Sequence, residues 1–122
     1  MAAYLLRVRA RFEAAHHLTS YLGAAEPAHG HSWQVEAVLR AAELDSEGMA
    51  FDFVAVRQAL GELLAALDHR DLNCVPPFDR ESPTTERIAA WLFDGLARLL
   101  PGAPLAELTV WEGPDCAATY VP

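Results

Sequence analysis

Hydrophobic and polar residues alternate through the first third of the chain and then change to helical spacing. From Tyr4 to Ala15, Leu6, Val8, Ala10, Phe12 and Ala14 share one face, and Arg7, Arg9, Arg11 and Glu13 share the other. Such a two-residue period predicts a half-buried strand. Ser20 to Ala28 contains Gly23 and Pro27 and reads as a loop. A second strand follows from about His31 to Ala41, with Trp33, Val35, Ala37 and Leu39 opposed by Gln34, Glu36 and Arg40.

Beyond a polar turn at Glu43 to Met49, Asp52 is a suitable N-cap for a helix of about fifteen residues. Phe53, Val56, Leu60, Leu63, Leu64 and Leu67 recur on one side of it. Asp71 to Ser82, marked by Pro76-Pro77, reads as a loop. A second helix is expected from Ser82 or Thr84, with Pro83 in its first turn and Ile88, Trp91, Leu92, Leu96 and Leu99 facing inward. It stops at Pro101-Gly102, and strands around Leu105–Glu112 and Ala117–Val121 flank Gly113-Pro114. The order ββααββ predicts an α+β fold over residues 1–122, a four-stranded antiparallel sheet with two helices on one face. Two helices leave sheet edges to be covered, so an oligomer is expected.

Composition narrows the class. A chain of 122 residues, 52% hydrophobic, is one domain able to bury a core. No apolar run is long enough for a bilayer and Met1-Ala2-Ala3-Tyr4 has no signal-peptide pattern, so a cytoplasmic protein is expected, without membrane partners. Cys74 and Cys116 are too few for a disulfide framework and read as small hydrophobes. The net charge of −8 argues against a nucleic-acid partner. All nine basic residues are arginine, and an anionic small molecule would need several of them clustered locally.

The strand phase aligns candidate chemistry. His29 and His31, separated by Gly30, point to the same face of an extended strand. His16 continues the apolar phase of the first strand, so the three imidazoles are expected to meet. Three histidines around zinc with no fourth protein ligand describe a catalytic centre. His17 would point the other way. Asp68-His69, at the exit of the first helix, reads either as an oriented proton-transfer pair or as a cationic histidine at a helix C-terminus. Thr84-Thr85-Glu86 reads first as helix capping. Glu112 ends a strand, where a carboxylate can accept two parallel N–H bonds from a pterin or guanine edge. Trp33, Trp91 and Trp111 read as packing residues.

Taken together, Phe12-Glu13-Ala14-Ala15-His16, His29-Gly30-His31-Ser32, Phe51-Asp52-Phe53, Leu67 to Asn73, Pro83-Thr84-Thr85-Glu86 and Glu112 with Ala118-Thr119-Tyr120 resemble the 6-pyruvoyl- and 6-carboxy-tetrahydropterin synthase family. The resemblance spans nearly the whole chain. It implies the T-fold, a Zn2+ cofactor, 7,8-dihydroneopterin triphosphate as substrate, and a homohexamer of two trimers with active sites at subunit boundaries. Carried over by position, His16, His29 and His31 would hold zinc. Asp68 and His69 would move protons, and Glu112 with Thr84 and Thr85 would anchor the pterin. The family's usual catalytic cysteine falls at Ala25, and the next residue is Glu26. The resemblance implies first a 6-carboxy-tetrahydropterin synthase of a 7-deazapurine (queuosine-type) pathway. A variant branch with glutamate as base, releasing 6-hydroxymethyl-7,8-dihydropterin for folate synthesis, is the alternative that Glu26 resembles. A 6-pyruvoyl-tetrahydropterin synthase and a pterin-binding member without the family chemistry also stay open.

Overall fold

Two long strands, β1 (Tyr4–His16) and β2 (His29–Ala41), form the spine of the computed structural model, which describes residues 2–122. They pair antiparallel from Tyr4 opposite Ala41 to His16 opposite His29, so the loop between them starts and ends at histidines. β2 begins at His29 rather than His31, which places both histidines of the pair inside the ladder. The alternation has its expected result. Val8, Phe12 and Ala14 of β1 and Trp33, Val35, Ala37 and Leu39 of β2 are buried, while Arg7, Arg9 and Arg11 stay in water.

The sheet has five strands in the order β3-β1-β2-β4-β5, where β3 is Arg70–Asp71, β4 is Leu105–Glu112 and β5 is Cys116–Tyr120. The predicted four-stranded, wholly antiparallel sheet is therefore corrected to a mixed one. β3 runs parallel to β1, opposite Ala14 and Ala15. It is two residues long and follows a turn in which His69 takes a left-handed conformation, φ 58°. A segment that short has no period for a sequence pattern to reveal. A 3-10 turn at Leu72–Cys74 then tucks Leu72 into the core.

Both helices cover one face, as predicted. α1 (Phe53–Ala65) packs against β1, and α2 (Thr85–Leu99) against β4 and β5. Asp52 caps α1 by accepting from the Val54 N–H, and Thr84 caps α2 by accepting from the Arg87 N–H. Pro83 thus precedes the cap of α2 instead of entering its first turn. The helices approach closely where Gly95 faces Leu63, since a Cβ at Gly95 would lie 2.6 Å from a Leu63 methyl. Val56, Leu60 and Leu64 of α1 and Ile88, Leu92 and Leu96 of α2 fill the core. Phe53 and Leu99, at the ends of the predicted stripes, are exposed, as are Cys74 and Cys116. Of the tryptophans, Trp33 is fully buried and stacks on Phe12, Trp91 is partly buried, and Trp111 lies on the open face. Among the described residues no helix is long and apolar enough to cross a membrane.

The register defines where chemistry collects. Phe12, Trp33, Glu112 and Cys116 form one row across the helix-covered face. His31 lies two residues along β2 from that row, and His16 and His29 pair beyond it. The candidate site therefore sits at one end of the core face, beside the start of α2.

Candidate functional site

His16, His29, His31 and Glu112 each offer a ligating atom, and all four atoms lie within 4.8 Å of one another. The ring centroids of His16 and His29 and of His29 and His31 are 4.7 Å apart, and those of His16 and His31 are 5.2 Å apart. Two of the rings are aimed by backbone carbonyls. His16 Nδ1 donates to the Pro83 carbonyl at 2.9 Å, and His29 Nδ1 donates to the Pro27 carbonyl at 3.0 Å. A proton held on Nδ1 leaves the Nε2 lone pair for a metal, the usual outer support of a metal-binding histidine. Burial pushes His31 below the ordinary imidazole range, and this outweighs the nearby Glu112 carboxylate, so His31 keeps to its neutral form.

Glu112 stands against the three rings. Its Oε1 is 2.8 Å from His16 Nε2, 2.9 Å from His31 Nε2 and 3.9 Å from His29 Nε2. Thr85 Oγ1 donates to Oε2 at 3.2 Å. The donor set fits a zinc ion on two counts. His31 Nε2 is buried without a hydrogen bond, because its approach to Glu112 lacks hydrogen-bond geometry. His16 has acceptors at both ring nitrogens, while a neutral imidazole carries one N–H. A cation among the Nε2 atoms would satisfy both.

Glu26 is brought to the same place. The loop after β1 folds back on itself: the Glu26 N–H donates to the Leu18 carbonyl and the Leu18 N–H donates to Glu26 Oε1, at 3.1 and 2.8 Å. A tight turn from Tyr21 to Ala24, with Leu22 and Gly23 both at positive φ, closes the loop. The Glu26 carboxylate then stands 4.0 Å from His29 Nε2. Ala25 is exposed and brings no functional group.

Asp68 and His69 are paired with each other but not with the cluster. Asp68 Oδ1 lies 3.0 Å from His69 Nδ1 and accepts from the Glu13 N–H at 2.9 Å. That backbone bond, and next the His69 ring, hold the Asp68 carboxyl below its ordinary range. The pair stands beyond the β1 edge, with 78% of the His69 side chain exposed. His69 and Arg70 wall an open pocket of about 470 Å³ that also includes Glu13, Ala15, Gly30 and Ser32 and reaches His31 of the cluster. A methyl at Gly30 would meet only the Ala14 carbonyl, at 4.0 Å, so this chain does not need glycine there for space. Thr84 is engaged as the cap of α2. On the open face Arg7 and Arg9 both bind Glu36 at 2.7 Å. Burial raises the Glu36 carboxyl, but the two arginine bonds outweigh it and leave it lowered.

Three supporting groups have no signature in the sequence. The carbonyls of Pro83 and Pro27 orient rings, and every residue carries a carbonyl. Asn73 accepts from the His17 N–H and donates to the His17 carbonyl, fixing the chain just past His16. Its place in the run from Leu67 to Asn73 was the only available hint. The His17 ring approaches Asn73 as well, away from the cluster.

The model of a family described as 6-pyruvoyl tetrahydropterin synthase matches residues 5–122. The chain is 35% identical over 106 residues to a dihydroneopterin monophosphate aldolase of Pyrococcus furiosus, covering 86% of each protein. It is 36% identical over 115 residues to a 6-carboxy-5,6,7,8-tetrahydropterin synthase of Synechocystis, covering 89% of this chain and 86% of the relative. The Caenorhabditis elegans 6-pyruvoyl tetrahydropterin synthase structure superposes with a TM-score of 0.86 at 24% identity, over 100% of this chain and 97% of the other, and shows the shared T-fold. The chain belongs to the 6-pyruvoyl tetrahydropterin synthase family, lyases that act on pterins.

Proposed function

We propose that this protein is a zinc-dependent lyase that shortens the side chain of a phosphorylated 7,8-dihydroneopterin and releases 6-hydroxymethyl-7,8-dihydropterin, with Glu26 as the base. The observation that carries this reading is the Glu26 carboxylate 4.0 Å from His29 Nε2, beside an alanine where the family's thiol is expected. Similarity to the Pyrococcus dihydroneopterin monophosphate aldolase supports it. So does the Plasmodium vivax enzyme of the same fold, in which a glutamate is described as a catalytic residue.

His16, His29 and His31 would hold the zinc, which when bound acts as a Lewis acid toward the substrate's side-chain hydroxyls. Glu112 anchors the pterin by accepting two N–H bonds from its amide edge, and Thr85 positions that carboxylate. Thr84 serves the anchor through the start of α2. Glu26 removes the proton of the 2′-hydroxyl. The C1′–C2′ bond then breaks, its electrons pass into the dihydropterin C6–N5 system, and C2′ leaves as an aldehyde. Asp68–His69 is the second proton carrier and returns a proton to C1′. Because no hydrogen bond or ion pair joins that pair to the cluster of its own chain, and His69 is largely exposed, it is taken to act on a neighbouring copy in a homohexamer. Two exposed free cysteines accord with a reducing cytoplasm.

Incubation with 7,8-dihydroneopterin monophosphate and with the triphosphate, followed by mass identification of products, tests the reading. The expected product is 6-hydroxymethyl-7,8-dihydropterin, lost in Glu26→Ala with zinc retained. A 6-carboxy product would overturn it in favour of the second reading, a 6-carboxy-tetrahydropterin synthase, which the Synechocystis relative favours.

A further inference from the structure

Three of the nine arginines lie on one strand, and the reaction proposed above uses none of them. Arg7, Arg9 and Arg11 project from β1 onto the sheet face that no helix covers. Glu36 binds Arg7 Nη1 and Arg9 Nε at 2.7 Å and balances one of the three charges. Glu13 accepts from the Ser32 hydroxyl, and Glu107 stands farther along β4, opposite Val38. Among the described residues Arg11 has no carboxylate partner, and the Nη groups of Arg9 make no hydrogen bond. A guanidinium carries five N–H donors, so most of this capacity is unspent.

The same face carries one aromatic ring. Trp111 of β4 is 37% exposed, and its neighbours across the sheet are Gln34 and Ala117. Alanine on one side leaves the flank of the ring open. A hollow of about 360 Å³ lies between Arg9, Ser32, Gln34, Trp111, Gly113 and Pro114. A second, of about 270 Å³, shares Arg9 and Gln34 with it and extends to Arg11. Arg11, Gln34 and Trp111 stand in one row on β1, β2 and β4. Two strand spacings separate the first from the last by about 10 Å, the reach of a nucleotide from its base to its 5′-phosphate.

We propose that this face is a second ligand site, across the sheet from Glu112, and that it takes a nucleoside monophosphate. The base lies against Trp111, and the phosphate is held by Arg11 and the Nη groups of Arg9. Gln34 stands between them and offers a donor and an acceptor to the sugar and the base edge. One ring holds one base, and a chain of charge −8 repels a longer polyanion, so the fit is to a single nucleotide.

Calorimetric titration of the intact protein with AMP tests the site. Adenine has no ring N–H beside its amino group, so AMP cannot supply the paired donors proposed for Glu112. Saturable binding is expected, at least about tenfold weaker in Trp111→Ala and in Arg11→Gln, and retained in Glu112→Gln. Trp111→Phe keeps a ring and should recover most of the affinity, which separates stacking from a general loosening of β4. Adenosine should bind at least about tenfold more weakly than AMP, and added salt should weaken AMP. No saturable AMP binding, or equal affinity in Trp111→Ala and Arg11→Gln, would overturn the site. Equal affinity for AMP and adenosine would remove the phosphate from it. Loss of AMP binding in Glu112→Gln would return the ligand to the pterin site, and an oligoadenylate that binds more tightly than AMP would rule out the single nucleotide.

Discussion

The meeting of the three histidine rings was legible in the sequence, while what aims them was not. Strand phase places His16, His29 and His31 on one face, and the register delivers them to one point. The Pro83 and Pro27 carbonyls depend on how loops return to the sheet, which no side-chain pattern encodes. Glu112 was legible as an acceptor at a strand end. Its insertion among the histidines follows from the pairing of Trp33 with Glu112, a register that only the folded sheet reveals. Two predictions belong to single residues. His31→Ala should lose most of the roughly one zinc per chain expected of the purified protein, since two imidazoles hold the ion far less well than three; elemental analysis measures this. Asp68 carries the second. Its carboxyl is lowered in the fold by the Glu13 N–H and by His69. Its stabilising contribution is therefore present above the ordinary aspartate range and is lost as pH falls through the depressed value. Thermal midpoints of the parent and Asp68→Asn should differ at neutral pH and converge in strong acid. A gap that persists there would show that the Asp68 carboxylate is not the cause.

Elements with several turns or pleats were read well because their periods repeat. β4 has the predicted bounds, β1 ends one residue later than expected, and both helix caps come from polar residues at the expected places. The misreadings lie where the period is too short or stops. β3 has two residues and owes its place to the left-handed turn at His69, and Phe53 and Leu99 continue their stripes past the covered surface. The start of α2 is the element closest to function. Pro83 orients His16, Thr84 caps the helix and Thr85 holds Glu112. Capping and ligand positioning are thus divided between adjacent threonines, and substitutions should separate them. Thr84→Ala should lower stability by about 1 kcal/mol, the usual cost of a lost cap, and Thr84→Ser should restore it. Thr85→Ala should instead weaken pterin binding with a smaller effect on unfolding. Denaturant unfolding and fluorescence titration with neopterin distinguish the two. The reverse assignment would make Thr84 the ligand-positioning residue.

At the scale of the molecule, a single chain leaves its sheet edges open and its proposed proton carriers unconnected to the histidines. β3 covers only Ala14 and Ala15 of β1, and β5 leaves one side of the sheet unpaired. Unpaired strand edges of this kind are usually covered by another chain. Asp68 and His69, the proposed proton carriers, make no hydrogen bond or ion pair to the histidine cluster among the described residues, and His69 is largely exposed. Both facts have one explanation if copies assemble so that Asp68–His69 of one chain completes the cluster of the next. Light scattering at micromolar protein should then report a hexamer, and a monomer of 13.3 kDa would contradict it. A hybrid experiment tests the shared site itself. His31→Ala and His69→Ala should each be inactive alone, one lacking a metal ligand and the other a proton carrier. Co-expressed in equal amounts, the two chains should mix at random in closed rings. A site drawing its metal ligands from one chain and its dyad from a neighbour is then intact when both contributions are wild type, which restores about a quarter of parental turnover. If both groups served the same chain, every site would carry one defect and mixing would restore nothing. Turnover in the co-expressed hybrid, set against each variant alone, therefore decides whether the two halves of the site meet across subunits.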